Sequence, residues 1–216
     1  MSADSGKPAG NAWADARRIE AWAGEVRVNL IRVAAILAFY GHHLLNVYVF
    51  RDDPTVGGRF HVAMTALAVS WSIMACVIYY LLSRRWVPPA LKYAVTAGDL
   101  ALLTLLLAQA GGVQSPLVVL YFLVIGAAAL RLSLPLVYVT TLGAILSYLL
   151  LLGGYAWYQI GWEEYYTNPA VRIPRTHQII MVLALTTAGF LARQMVRQAR
   201  RLVQGYPVTI ATLREN

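Results

Sequence analysis

The chain has 216 residues, of which 59% are hydrophobic and 13% charged, with a formal charge of +8. Such a composition excludes an ordinary soluble domain and indicates a polytopic membrane protein, because the apolar runs recur and reach the roughly 20 residues needed to cross a hydrocarbon core. The positive charge does not indicate nucleic acid, since the basic residues gather at alternate ends of the apolar runs, where they report topology.

Residues 1–26 read as a cytoplasmic tail whose acidic residues and lack of an apolar core exclude a cleavable signal peptide. Within it, Trp13, Ile19, Trp22 and Val26 are interleaved with Arg17, Arg18, Glu20 and Glu25. That spacing predicts a short helix, either lying at the membrane surface or leading directly into the first span. Six spans are drawn at 28–50, 60–82, 91–109, 116–130, 133–158 and 176–193, giving an all-α bundle across 27–193. Lys7, Arg17, Arg18, Arg27, Arg84, Arg85, Lys92, Arg131, Arg193, Arg197, Arg200 and Arg201 then share one face, against Arg51, Arg59, Arg172 and Arg175 on the other. The positive-inside rule predicts that both termini are cytoplasmic. Cys76, within the second span, reads as a small buried core residue. Residues 159–175 form the longest external loop, either a connector or a lid.

The last span is expected to continue beyond the bilayer. Arg193, Arg197, Arg200 and Arg201 recur at helical spacing among Leu191, Met195, Val196, Leu202 and Val203. Residues 194–216 therefore read as a basic cytoplasmic stalk and tail, relaying a signal or meeting anionic lipid, with Gly205-Tyr206-Pro207 ending the helix.

Ionisable groups inside spans are costly and mark candidate sites. Asp99 lies well inside the third span, where its carboxyl must be protonated or paired. It is a candidate intramembrane switch or a structural hydrogen bond to a neighbouring helix. His42, His43 and Asn46 lie in the outer half of the first span, with His42 and Asn46 four apart on one face. His61, His177, Gln109, Gln114 and Gln178 lie at similar depth. Such imidazoles and amides suit a quinone head group, which needs donors to its carbonyl oxygens; haem would need two facing imidazoles, and a metal three or four converging ligands. No metal-binding, nucleophile or phosphate-loop motif is present, so the chain reads as a non-enzyme.

Between the third and fourth spans, Gly111 and Gly112 supply backbone freedom and Pro116 suits the first turn of the next helix. With Asp99 before it and LYFLVIGAAALRL after it, the turn GGVQSPL resembles the six-helix membrane sensor domain of bacterial sensor histidine kinases, of the redox-responsive RegB type. Gly111, Gly112 and Pro116 match that family's turn, while Ser115 and Leu117 stand where it has asparagine and phenylalanine. The resemblance implies a multi-pass protein of the bacterial inner membrane with a quinone-responsive site at Gly111, Gly112, Gln114, Ser115 and Pro116, to which His42, His43 and Asn46 are added. The kinase core has no counterpart here, because the chain ends at Asn216 with no histidine after His177. The expected role is a signal-input module in the lipid bilayer, acting on a cytoplasmic protein partner or as a homodimer. The rival readings are a structural or quinone-binding accessory subunit of a membrane redox complex, with haem the less favoured cofactor, and a small transporter using Asp99.

Overall fold

The computed structural model describes residues 9–50, 58–85, 88–168 and 172–215. Among these every secondary-structure element is a helix. Helix α1 (Ala9–Leu45) widens into a π-helical turn at Asn46–Phe50, and α2 (Gly58–Ser83) returns beside it. Then come α3 (Leu91–Gln109) and α4 (Leu120–Leu130), the latter entered through a 3-10 turn at Pro116–Val119. Helix α5 (Leu134–Gly154) also ends in a π-helical turn; short α6 (Trp162–Thr167) and long α7 (Arg175–Glu215) complete the chain. Five of these segments are long and apolar enough to cross a membrane, the build of a multi-pass membrane protein, whereas Pro116–Leu130 is a shorter apolar helix.

One open alternative of the sequence reading is settled here, and one expectation changes. The residues around Trp13–Glu25 form no separate surface helix, because α1 runs unbroken from Ala9 through the first apolar segment. Helix α7 also continues past Gly205-Tyr206-Pro207 to Glu215; a proline removes one backbone donor and bends a helix without necessarily ending it.

Helices α3, α4, α5 and α7 pack into one core. On α5 the buried stripe is Leu136, Val137, Thr140, Ala144, Tyr148 and Leu151, while Leu142, Leu146, Leu149 and Leu150 face outward. Helix α7 contributes Leu185, Gly189, Ala192 and Val196, a spacing of four, three and four that keeps one face on the core. Tyr121 of α4 is fully buried and its hydroxyl lies 3.0 Å from that of Thr104 on α3. Thr104 retains its 2.6 Å bond to the Leu100 carbonyl in any case. Tyr121→Phe is therefore expected to lower stability by only about 0.5–1.5 kcal/mol in thermal unfolding of the detergent-solubilised protein.

The α1–α2 pair leans on this core from one side. Its helices are laced together along their length: Trp22 Nε1 donates to the Leu82 carbonyl (3.1 Å), Asn29 Nδ2 to that of Ala75 (3.3 Å), and Tyr40 Oη to Thr65 Oγ1 (3.2 Å). Cys76 lies on the outward side of α2, with Val69, Ile73 and Val77, and is exposed rather than part of the core. An outward face that meets lipid is as apolar as an inward one, so its apolar neighbours do not reveal which way it points.

Candidate functional site

Among the described residues two ion pairs join α1 to the core, both in the half of the bundle nearer Arg131. Arg32 of α1 forms a two-pronged pair with Asp99 of α3, Nε to Oδ1 at 2.9 Å and Nη2 to Oδ2 at 2.6 Å. Trp71 Nε1 of α2 also donates to Asp99 Oδ1 at 3.1 Å, and Arg32 Nη1 donates to Asn29 Oδ1 at 2.8 Å. Beside this pair, Arg131 Nη2 lies 2.9 Å from Glu25 Oε2, with both side chains 4% exposed. Arg131 Nη1 donates to Thr96 Oγ1 at 2.6 Å. Two guanidiniums and two carboxylates thus neutralise one another in a compact network. Glu25 belongs to the interior rather than to an amphipathic surface helix, and Arg131 is no free interfacial cation.

Away from these pairs, α1 and α4 part, leaving a cleft walled by α1, α2, α3 and α4. It holds about 320 Å³ of free space, within the usual range of a small-molecule site. Arg32 and Asp99 form its floor; Ile36, Phe39, Leu103, Leu120, Leu123 and Ala127 are among its walls, and His42, His43 and Asn46 lie at its other end. Arg32 and His43 are eleven residues apart on one helix, so the cleft extends for about 16 Å. Phe39 and Leu123 are both exposed, so its side opens where lipid would lie.

No family model, curated protein or solved structure matches this chain. The chemistry of the site rests on its own residues.

The sequence-predicted site residues divide into two groups. His42, His43, Asn46 and Asp99 line the cleft. His43 is buried and its Nε2 lies 3.2 Å from Nδ1 of His61 on α2. The turn residues Gly111, Gly112, Gln114, Ser115 and Pro116 do not line it; only their neighbours Ala110 and Leu117 do. Instead, the turn supports the hairpin. Gly111 and Gly112 take left-handed angles (φ 94° and 66°). Ser115 Oγ accepts from the Leu117 amide at 3.3 Å, and Gln114 Nε2 donates to Tyr155 Oη at 2.9 Å, fastening the turn to the end of α5. His177 is exposed at the start of α7, away from His43 and His61. The α6 segment is no lid over the cleft: it packs on the end of α5, and Gln178 Nε2 of α7 donates to the buried Tyr165 Oη at 3.1 Å.

The stalk arginines are partly engaged. Arg193 lies over the Tyr138 ring, 5.3 Å from its centroid, and Arg200 donates through Nε and Nη2 to the Leu132 carbonyl at 3.0 and 2.6 Å. Leu132 has a left-handed backbone (φ 49°), so Arg200 holds α7 to a strained turn between α4 and α5. Arg197 and Arg201 are exposed. Lys7 and Arg51 lie outside the described residues.

Sequence reasoning missed Arg32, His61 as a partner of His43, and the Glu25–Arg131 pair. A signal for the first was present: Arg32 and Asp99 are lone, opposite charges within apolar runs, and each requires a partner. Among the described residues no group of three or more His, Cys, Asp or Glu side chains converges for a metal.

Proposed function

We propose that the protein is a membrane-embedded signal-input module whose cleft takes a hydrophobic, bilayer-dissolved ligand, a quinone being the leading chemistry. The observation that carries this reading is the double role of α4. Leu120, Leu123, Val124 and Ala127 wall the cleft, while Tyr121, Ile125 and Ala128 belong to the core that also holds Leu185, Ala192 and Val196 of α7. A ligand that parts or closes α1 and α4 thereby acts on α7, and through it on a cytoplasmic partner or a second copy of the chain. A ligand shifts such an equilibrium only by binding one packing better than the other.

The same reading places both termini in the cytoplasm of a bacterial inner-membrane protein with six crossings. Pro116–Leu130 is about 24 Å long, counting its 3-10 turn, and falls short of a roughly 30 Å hydrocarbon core. The Glu25 carboxylate beside Arg131 supports a crossing by this short helix, because it neutralises a charge that ends below the headgroups. Haem is less well supported than quinone: axial ligands need nitrogens about 4 Å apart, on opposite sides of the iron, whereas His43 and His61 already share a 3.2 Å hydrogen bond.

The test uses the full chain in lipid nanodiscs with decylubiquinone as probe. Ala127→Phe, which fills the cleft, is expected to weaken probe binding at least tenfold. A nitroxide on Met195→Cys, in a Cys76→Ala background, should report a probe-dependent change in mobility that Ala127→Phe abolishes. Unchanged binding by Ala127→Phe would contradict the assignment of the cleft, and binding without any change at position 195 would contradict the relay.

A further inference from the structure

One end of the cleft carries a pair of imidazoles whose geometry bears on which head group binds. His43 lines the cleft and is 8% exposed; His61 stands behind it on α2, its ring centroid 5.3 Å away and its plane tilted by 24°. Their bond joins Nε2 of His43 to Nδ1 of His61. It leaves Nδ1 of His43 without a hydrogen-bond partner among the described residues. Asn46, one turn further on, borders the same space. The rings around the pair are those of Tyr40, Phe60 and Tyr48. No carboxylate among the described residues bonds to either imidazole, so none fixes the tautomer in the way that a metal-ligand or triad histidine is fixed. At the opposite end, both guanidiniums are already neutralised by carboxylates.

Resting on the reading of the cleft as a ligand site, we propose that the pair recognises a neutral head group bearing a carbonyl or a hydroxyl. His61 acts as the positioning residue that lets His43 serve either. A shared imidazole bond requires N–H on one ring and a lone pair on the other. When His43 holds its proton on Nε2 and donates to His61, its Nδ1 carries a lone pair and accepts from a ligand hydroxyl. When His61 holds the proton on Nδ1 and donates to His43, the proton of His43 sits on Nδ1 and is donated to a ligand carbonyl.

Passing from the first arrangement to the second moves the Nε2 proton of His43 to Nδ1 of His61. His61 releases its own Nε2 proton to solvent, and one proton returns from solvent to Nδ1 of His43. Net charge is unchanged and no electron moves. An anionic amphiphile such as a fatty acid finds no unpaired cation at either end among the described residues, whereas the oxidised and reduced forms of one quinone are both accommodated.

The test compares decylubiquinone with decylubiquinol, held reduced, binding to the full chain in nanodiscs. His61→Ala is expected to change the ratio of the two affinities at least fivefold, because His43 loses the partner that reverses its role. His61→Gln, whose amide presents both a donor and an acceptor, should restore the ratio. A merely structural role for His61 would weaken both forms alike, so an unchanged ratio in His61→Ala overturns the inference while leaving the cleft reading intact. If neither form binds the unaltered protein, the quinone reading of the cleft fails, and the inference fails with it.

Discussion

Asp99→Ala is expected to destabilise the protein by about 3–5 kcal/mol, among the largest effects of any single substitution in the bundle. The carboxylate takes two bonds from Arg32 and one from Trp71, and the side chains of the ion pair are only 5% and 14% exposed. Alanine leaves a buried guanidinium and an indole N–H facing an apolar space, so the cost is the desolvation of groups that have lost their acceptor. Removing both charges together should be far milder. Arg32→Met with Asp99→Leu substitutes apolar packing for the pair and is expected to recover most of the loss, as buried pairs replaced by apolar groups commonly do. Thermal unfolding in one detergent, comparing the single and double variants, measures this. A double variant no better than Asp99→Ala would mean that the ion pair is not the source of the stability.

The second large effect is expected at Gly189, where α7 packs against Thr141 of α5. A Cβ at this position would lie 2.3 Å from Thr141 Oγ1, 2.4 Å from its Cγ2 and 2.9 Å from its Cβ. Rotating the threonine side chain cannot relieve the last of these, so even alanine must push the helices apart, at about 1–3 kcal/mol. Pairing Gly189→Ala with Thr141→Gly removes the clash and should restore most of the stability. Gly153→Ala is the control, since nothing lies within 4 Å of the added carbon. Its effect should be neutral to stabilising, by up to about 1 kcal/mol. Because Gly189 lies between the core positions Leu185 and Ala192, the clash should also displace the part of α7 that leads to Arg193 and Arg200.

The helices themselves were largely legible in the sequence, whereas their partners were not. The apolar run drawn at 91–109 coincides with α3, and Gly111, Gly112 and Pro116 announce the turn that follows it, because left-handed backbone and a missing N–H have local signatures. The cleft has no such signature. It arises because α1 is held to the core at Arg32 and Glu25 and parts from α4 beyond them, a tertiary arrangement that hydropathy does not encode. Inward and outward faces are equally apolar in a lipid-facing bundle, which is why Cys76 reads as core yet lies outside. Asp99 was recognisable as a group in need of a partner, but identifying Arg32 required noticing a second lone charge 67 residues away. A ligand role for the Gly111–Pro116 turn is implied by the resemblance alone, and in the structure Ser115 and Gln114 make hydrogen bonds within and beside the hairpin.

The most direct measurement is photolabelling of the full chain in native-like lipid with a photoreactive short-chain quinone, followed by mapping of the labelled peptides with and without excess decylubiquinone. Competable labelling on α1 around Phe39–His43 and on α4 around Leu123–Ala127 is the expected result. Competable labelling confined to the Gly111–Pro116 turn, or labelling that excess decylubiquinone does not displace, would contradict the cleft as the site of recognition.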